Sequence, residues 1–253
     1  MPTLPPLFHI RHLTTIDKNQ LDTDGHLMLE GLLTDDACQM LTASLASIQQ
    51  LAESVESDPQ PNRYAAEYDR HLASLIGHPQ LLALAHWVLG TPIRFDHCVT
   101  LNRRGGNRGQ GWHSHSYGEV NHQLGFVRIF FYVNGFSIDD GGLKVVPGSH
   151  LFRDPAIGAS SDEDLKGGWL AGKTHPITGK PLVIDYLTAP PGSVILMWTH
   201  AAHSVTPRLP DSETRWTVVY AYRNPGEPSP ARWITEPFER SNVPGAEGLM
   251  SLY

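Results

Sequence analysis

GFVRIFFYVNGFSIDDGGLKVVPGSHL, residues 125–151, is the stretch whose reading decides the fold. Its first part, GFVRIFFYVNG (125–135), is dense in Val, Ile, Phe and Tyr and closes on Asn-Gly. Such a run followed by turn residues reads as a strand and its turn. GLKVVPG (142–148) repeats the pattern on a shorter scale. The same texture continues on both sides in PIRFDHCVTLN (92–102), PLVIDYL (181–187), GSVILMW (192–198) and RWTVVYAYR (215–223). Long loops are expected at 103–112, 150–180 and 224–253.

Further upstream the period changes. Leu41, Leu45, Ile48 and Ala52 follow one another at i, i+4, i+7 and i+11, an apolar stripe on one helix face. Thr34 stands where an N-cap belongs, with Asp35 and Asp36 in the first turn, so a helix is expected over 34–55. A second is expected over 79–89 (PQLLALAHWVL), stopped by Gly90 and Pro92. His26 to Leu33 reads as a short strand, and residues 1–25 as an irregular leader. Helices first and strands afterwards imply a mainly β fold, one sandwich or jelly roll with helices on an outer face. One domain over 1–253 is expected: a helical flank (26–91), a β core (92–223) and a tail (224–253).

Composition narrows the function. Nineteen Lys and Arg against 26 Asp and Glu leave a net charge of −7, which provides no basic footprint for nucleic acid or an anionic membrane. No apolar run approaches the roughly 18 residues of a membrane span. The proline-bearing start, MPTLPPLFHIRHL, is not a signal peptide. Cys38 and Cys98 fall in a helical and a strand-like pattern and read as buried, unpaired thiols, in keeping with a reducing cytoplasm. The 14 histidines are the unusual feature.

Several of them cluster. In Gly111-Trp112-His113-Ser114-His115 the two imidazoles are two residues apart, so an extended chain aims both at one point. Imidazole suits Fe, Zn, Cu and Ni alike, and a structural or surface role fits the pair equally well. His200 and His203 follow GSVILMW; three apart, they face opposite ways on a strand, so at most one points inward. A third imidazole from there would close a facial ligand set with positions left open. Arg215 is either a solvated strand-end arginine, which spacing alone favours, or a buried one that needs an anion such as a dicarboxylate.

The order of these pieces resembles the phytanoyl-CoA dioxygenase family of Fe(II)/2-oxoglutarate oxygenases, from about residue 26 to residue 223. The most specific parts are Trp112-His113-Ser114-His115, the stretch 126–151 ending in Pro147-Gly148-Ser149-His150, and Gly192-Ser193 followed eleven residues later by His203. The resemblance implies a double-stranded β-helix, a cupin-like jelly roll. It implies Fe(II) on His113, His115 and His203, and 2-oxoglutarate held by Arg215 with help from Thr206, Arg103 and Asn102. His150 then belongs to a structural turn.

One position departs from the family: His115 stands where the pattern has an aspartate. A three-histidine iron site is the first reading of it; Glu119 as the carboxylate ligand, with His115 turned away, is the second. The expected activity is hydroxylase-type oxidation of a small organic molecule by dioxygen. Loops 103–112, 116–124 and 150–180 would line the mouth, with Tyr117, Glu119, Asn121, His122, Trp169 and Lys173 near the substrate. The alternatives are a three-histidine dioxygenase that needs no 2-oxoglutarate and a non-catalytic metal- or ligand-binding relative.

Overall fold

The computed structural model describes residues 5–54, 60–115, 124–154, 157–226 and 232–250. The strands form two antiparallel five-stranded sheets. In the larger, β1 (His26–Leu29), β8 (Ser193–Trp198), β4 (Phe126–Tyr132), β10 (Thr217–Arg223) and β2 (Arg94–Thr100) lie side by side in that order. In the smaller the order is β6 (Gly158–Ala159), β3 (Gln110–His113), β9 (His203–Val205), β5 (Leu143–Val145) and β7 (Asp185–Tyr186). The two sheets face each other across an apolar interior. Val99, Phe130, Tyr132, Ile195 and Val219 of the larger sheet share it with Leu143, Val145 and Val205 of the smaller. This is the jelly roll that the strand pattern implies.

Among the described residues seven α-helices accompany the sheets: α1 (Thr15–Asp24), α2 (Asp35–Ser54), α3 (Ala65–Tyr68), α4 (Arg70–Leu75), α5 (Pro79–Leu89), α6 (Asp162–Gly167) and α7 (Glu236–Glu239). Leu41, Leu45, Leu72, Leu81 and Ala85 pack on Val127, Ile129, Phe131 and Tyr220, the outer side of the larger sheet. Side chains alternate along a strand, so both faces of β4 are covered and all seven of its residues are buried. Behind the smaller sheet, Leu165, Leu170 and Leu182 cover Trp112, Val146 and Ala202.

The two long helices stand as their periodicity indicates, and Thr34 caps α2 by accepting Ala37 N at 3.2 Å. The leader is not irregular throughout. Its second half is α1, which buries only Leu21 and so shows no apolar period. Its ends hold it instead: a capping box between Thr14 and Asp17, and Gly25 at φ 87°. His150 and His175 place Nε2 3.0 Å from the Asp22 and Thr23 carbonyls of its last turn. The Pro147–His150 turn therefore anchors a helix, in line with the structural role expected for His150.

The tail contributes Val243, Ala246, Leu249 and Met250 to the core, and Phe95 N donates to Leu249 O at 2.9 Å. The expected strand over 181–187 shrinks to two residues, and the expected loops contain β3, β6 and α6. Cys98 is buried and Cys38 half-buried; both are free thiols. Among the described residues no helix is long and apolar enough to cross a membrane.

Candidate metal centre

Pairing between two short strands builds the site. β3 and β9 run antiparallel with His113 directly opposite His203, and His203 also faces Val145 of β5. The close approach depends on Gly109, at φ 75°, where a Cβ would collide with the Val205 carbonyl. His115 N donates to Thr199 O at 3.1 Å, which carries the chain past the end of β3 and brings a third ring in. Ring centroids lie 4.2 Å apart for His113–His203, 4.9 Å for His113–His115 and 5.2 Å for His115–His203. One nitrogen from each ring falls within 4.8 Å of the other two.

Hydrogen bonds orient two of these rings for a cation. His113 Nδ1 lies 2.9 Å from Gly111 O, and His203 Nδ1 lies 2.9 Å from Ala201 O. A carbonyl only accepts, so each Nδ1 carries the proton and each Nε2 presents a lone pair. Gln110 Nε2 sits 3.2 Å from His113 Nε2, while Gln110 Oε1 accepts from Arg103 at 2.9 Å. His115 differs. Arg128 Nη1 approaches its Nε2 to 2.7 Å, and a guanidinium only donates. That lone pair is therefore engaged, and His115 is open to a metal only when Arg128 withdraws. Burial depresses the basicity of all three imidazoles, and Arg128 depresses that of His115 further, so the rings are neutral.

Arg215 is 2% exposed, which removes the solvated alternative. Its Nη1 donates to Gly141 O, its guanidinium lies over Tyr132 (5.5 Å) and Phe136 (5.9 Å), and its Nε is buried without a partner. Burial pushes its pKa down to about 10, against which the nearby Asp140 carboxylate acts only weakly. Arg103 joins it by backbone hydrogen bonds in both directions, at 3.0 and 2.8 Å. Through Gln110, Arg103 connects the Arg215 region to His113.

The remaining expected residues divide. Asn102 ties Leu45 O of α2 to Thr217 N of β10 and faces the helices. Thr206 donates to Ile138 O at 3.0 Å, and strand alternation turns it away from the side of His203 and Val205. Trp169 donates to Asp154 at 2.8 Å, lies 5.0 Å under Lys173 and packs behind the smaller sheet, away from the histidines. Tyr117, Glu119, Asn121 and His122 lie outside the described residues. Among those described, no carboxylate joins the three imidazoles. Sequence reasoning missed Arg128, Gln110, Asp96, His97 and Arg223. A lone Arg inside FVRIFFYV and an Asp-His pair inside an apolar strand are the signals that mark three of them.

The model of the phytanoyl-CoA dioxygenase (PhyH) family matches residues 21–208. The chain belongs to this family. Among PhyH relatives, the ectoine dioxygenase of Nocardia farcinica is 28% identical over 175 residues, which are 63% of this chain. The chain spans 57% of the length of that relative. The non-heme alpha ketoglutarate dependent carbocyclase SnoK of nogalamycin biosynthesis superposes with a TM-score of 0.67 at 16% identity, covering 91% of this chain and 92% of its own. EctD from S. alaskensis with bound Fe superposes with a TM-score of 0.63 at 20% identity, over 94% and 88% of the two chains. At those identities the likeness establishes the jelly-roll fold.

Proposed function

We propose that this PhyH-family chain is an Fe(II)- and 2-oxoglutarate-dependent oxygenase that acts on a small organic molecule with dioxygen. The observation that carries this reading is the convergence of three neutral imidazoles, linked through Gln110 and Arg103 to a buried arginine that forms no direct salt bridge with a carboxylate among the described residues. The donor set fits the metal: imidazole suits Fe(II), and the Nε2 lone pairs of His203 and His113 are directed by their Nδ1 hydrogen bonds, that of His113 resting on the Gln110 amide. His113 and His203 are the primary ligands, and His115 completes the set when Arg128 releases it. Arg215 takes the distal carboxylate of 2-oxoglutarate bidentately, with Arg103 adding positive field. Iron and 2-oxoglutarate, when bound, supply the oxidising power for hydrogen abstraction from substrate. The chain holds the rings in one tautomer, keeps a cation for the co-substrate and encloses both in an apolar interior that excludes water. Residues 1–253 act as one domain, and the thiols Cys38 and Cys98 are in keeping with the cytoplasm.

An anaerobic visible spectrum tests the assignment. Fe(II) and 2-oxoglutarate together are expected to give a weak charge-transfer band that neither gives alone and that His203→Ala abolishes. His115 in place of an aspartate supports a second reading, a three-histidine dioxygenase that needs no 2-oxoglutarate. Iron binding without the band, together with oxygen uptake indifferent to 2-oxoglutarate, selects that second reading. Loss of iron binding altogether leaves a non-catalytic relative.

A further inference from the structure

The inner face of the larger sheet carries a second polar cluster at the end away from Arg215. Arg128 of β4 pairs with Ala221 of β10, and Ala221 pairs with His97 of β2. One row thus reads Arg128, Ala221, His97, with the small alanine between two polar residues. A bulge in the β10–β2 pairing falls there, between Ala221 and Tyr222, with Asp96 as the extra residue. Bulges re-aim side chains, and here Asp96 and His97 end up together, both fully buried, with Oδ1 and Nδ1 2.6 Å apart. Arg223 follows two residues after Ala221, 1% exposed, its guanidinium 5.5 Å over the Phe126 ring. Trp233 lies 5.2 Å from the His97 ring.

Three nitrogens in this cluster are buried without a hydrogen-bond partner: Arg223 Nη1, Arg223 Nη2 and His97 Nε2. Asp96 Oδ2, 4.0 Å from Arg223 Nη1, forms a long ion pair with it but is too far for a hydrogen bond. Unmet buried donors and acceptors are costly, and a ligand that satisfies them gains what the fold forgoes. The groups state what such a ligand must offer. The Arg223 fork calls for a carboxylate. His97 gives its Nδ1 proton to Asp96, and burial holds the ring neutral, so its Nε2 accepts and calls for a donor. Arg215 and Arg223 are eight residues apart along an extended chain. That is about 27 Å, so one five-carbon diacid cannot use both.

We propose that Arg223 and His97 recognise the substrate, a small organic acid that also carries a hydroxyl or amino group. This rests on the oxygenase reading above. The carboxylate lies on Nη1 and Nη2 of Arg223, the hydroxyl or amine donates to His97 Nε2, and Phe126 and Trp233 flank the body of the molecule. Arg128, in the same row as His97 and touching His115, joins this site to the metal centre.

Calorimetric titration of the full chain tests the site, with Zn(II) and the 2-oxoglutarate analogue N-oxalylglycine present throughout. Three probes are compared: 3-hydroxy-3-phenylpropanoate, 3-phenylpropanoate and 3-hydroxy-3-phenylpropanamide. The hydroxy acid is expected to bind at least about tenfold more tightly than the other two, the loss typical of leaving a buried group unpaired. Arg223→Gln should erase the preference for acid over amide, and His97→Phe the preference for the hydroxyl. Arg215→Gln should leave both preferences intact. Equal binding of acid and amide by the native chain, no binding of any probe at millimolar concentration, or a preference that survives Arg223→Gln overturns the proposal. The comparison on the native chain does not depend on any variant folding. The charge-transfer band reports separately on the oxygenase reading. A band without the preferences removes this site alone, whereas the preferences without a band leave an acid-binding site on a protein of other chemistry.

Discussion

The larger sheet is made of strands of four to seven residues, and the smaller of strands of two to four. Helices bury the outer face of the first, and its side chains pack by the dozen. The second holds together through short ladders and a covering segment, yet it carries His113 and His203. The first layer thus supplies most of the core, and the second sets the two facing ligands. The layer that contributes most to the core contributes to the metal centre mainly through Arg128. The layer that holds the ligands needs only enough pairing to fix one register, His113 against His203.

Substitutions that act on one layer alone sharpen this contrast. Phe131 is fully buried in the larger sheet, with Phe8 at 5.7 Å and Tyr220 at 5.5 Å. Phe131→Ala is expected to cost about 3–5 kcal/mol in chemical denaturation, while the folded fraction keeps the charge-transfer band. A band lost in step with stability breaks the division. Arg215→Gln should do the reverse. It weakens 2-oxoglutarate binding by roughly 2–5 kcal/mol, as for removal of one partner of a buried charged pair, with little loss of stability. Titration of the band checks it, and an unchanged affinity removes Arg215 from the co-substrate site.

His150 joins the two layers by way of α1, and its effect depends on pH. Burial pulls its pKa down to about 4 from an unfolded value of 6.5. The stability that comes from keeping it neutral is complete above pH 6.5 and is lost as pH falls from there through 4. The loss reaches about 3 kcal/mol. Urea midpoints measured at pH 7 and pH 4.5 should differ less in His150→Asn than in the native chain; identical shifts exclude this histidine as a source of acid lability. Smallest is the effect of Arg128. Arg128→Gln removes a cation beside the ligand cluster and is expected to tighten Zn(II) binding by about 1.4 kcal/mol, roughly tenfold. His115→Ala should loosen it, and the two substitutions should not add, because Arg128 acts through His115.

Much of the larger sheet was legible because Val127, Ile129 and Phe131 alternate with Phe130 and Tyr132 in one uninterrupted run between turn residues. The α2 stripe was legible for the same reason, a period long enough to recognise. β3 and β9 were not, since three or four residues cannot display a period and those strands exist only through pairing with distant segments. α1 escaped because its caps, not its face, define it. Among candidate site residues, motif order selected His113, His115 and His203, which converge in the fold, and Arg215, which is buried. Thr206, Asn102 and Trp169 were placed too near the centre because sequence proximity does not state which side of a strand a residue takes.

By itself the sequence determined the sheet-rich fold with helices on one side, the three imidazoles and the arginine twelve residues beyond the last of them. Those follow from local patterns, in which neighbouring residues constrain one another directly. Only the tertiary structure decided that Arg128 occupies the His115 lone pair, that Arg215 is buried without a direct salt bridge among the described residues, and that Arg223 and His97 lie on either side of Asp96 at a bulge with nitrogens unmet. Each of these depends on cross-strand register and on the exclusion of water. Both arise when distant segments pack, and no stretch of sequence read alone contains them.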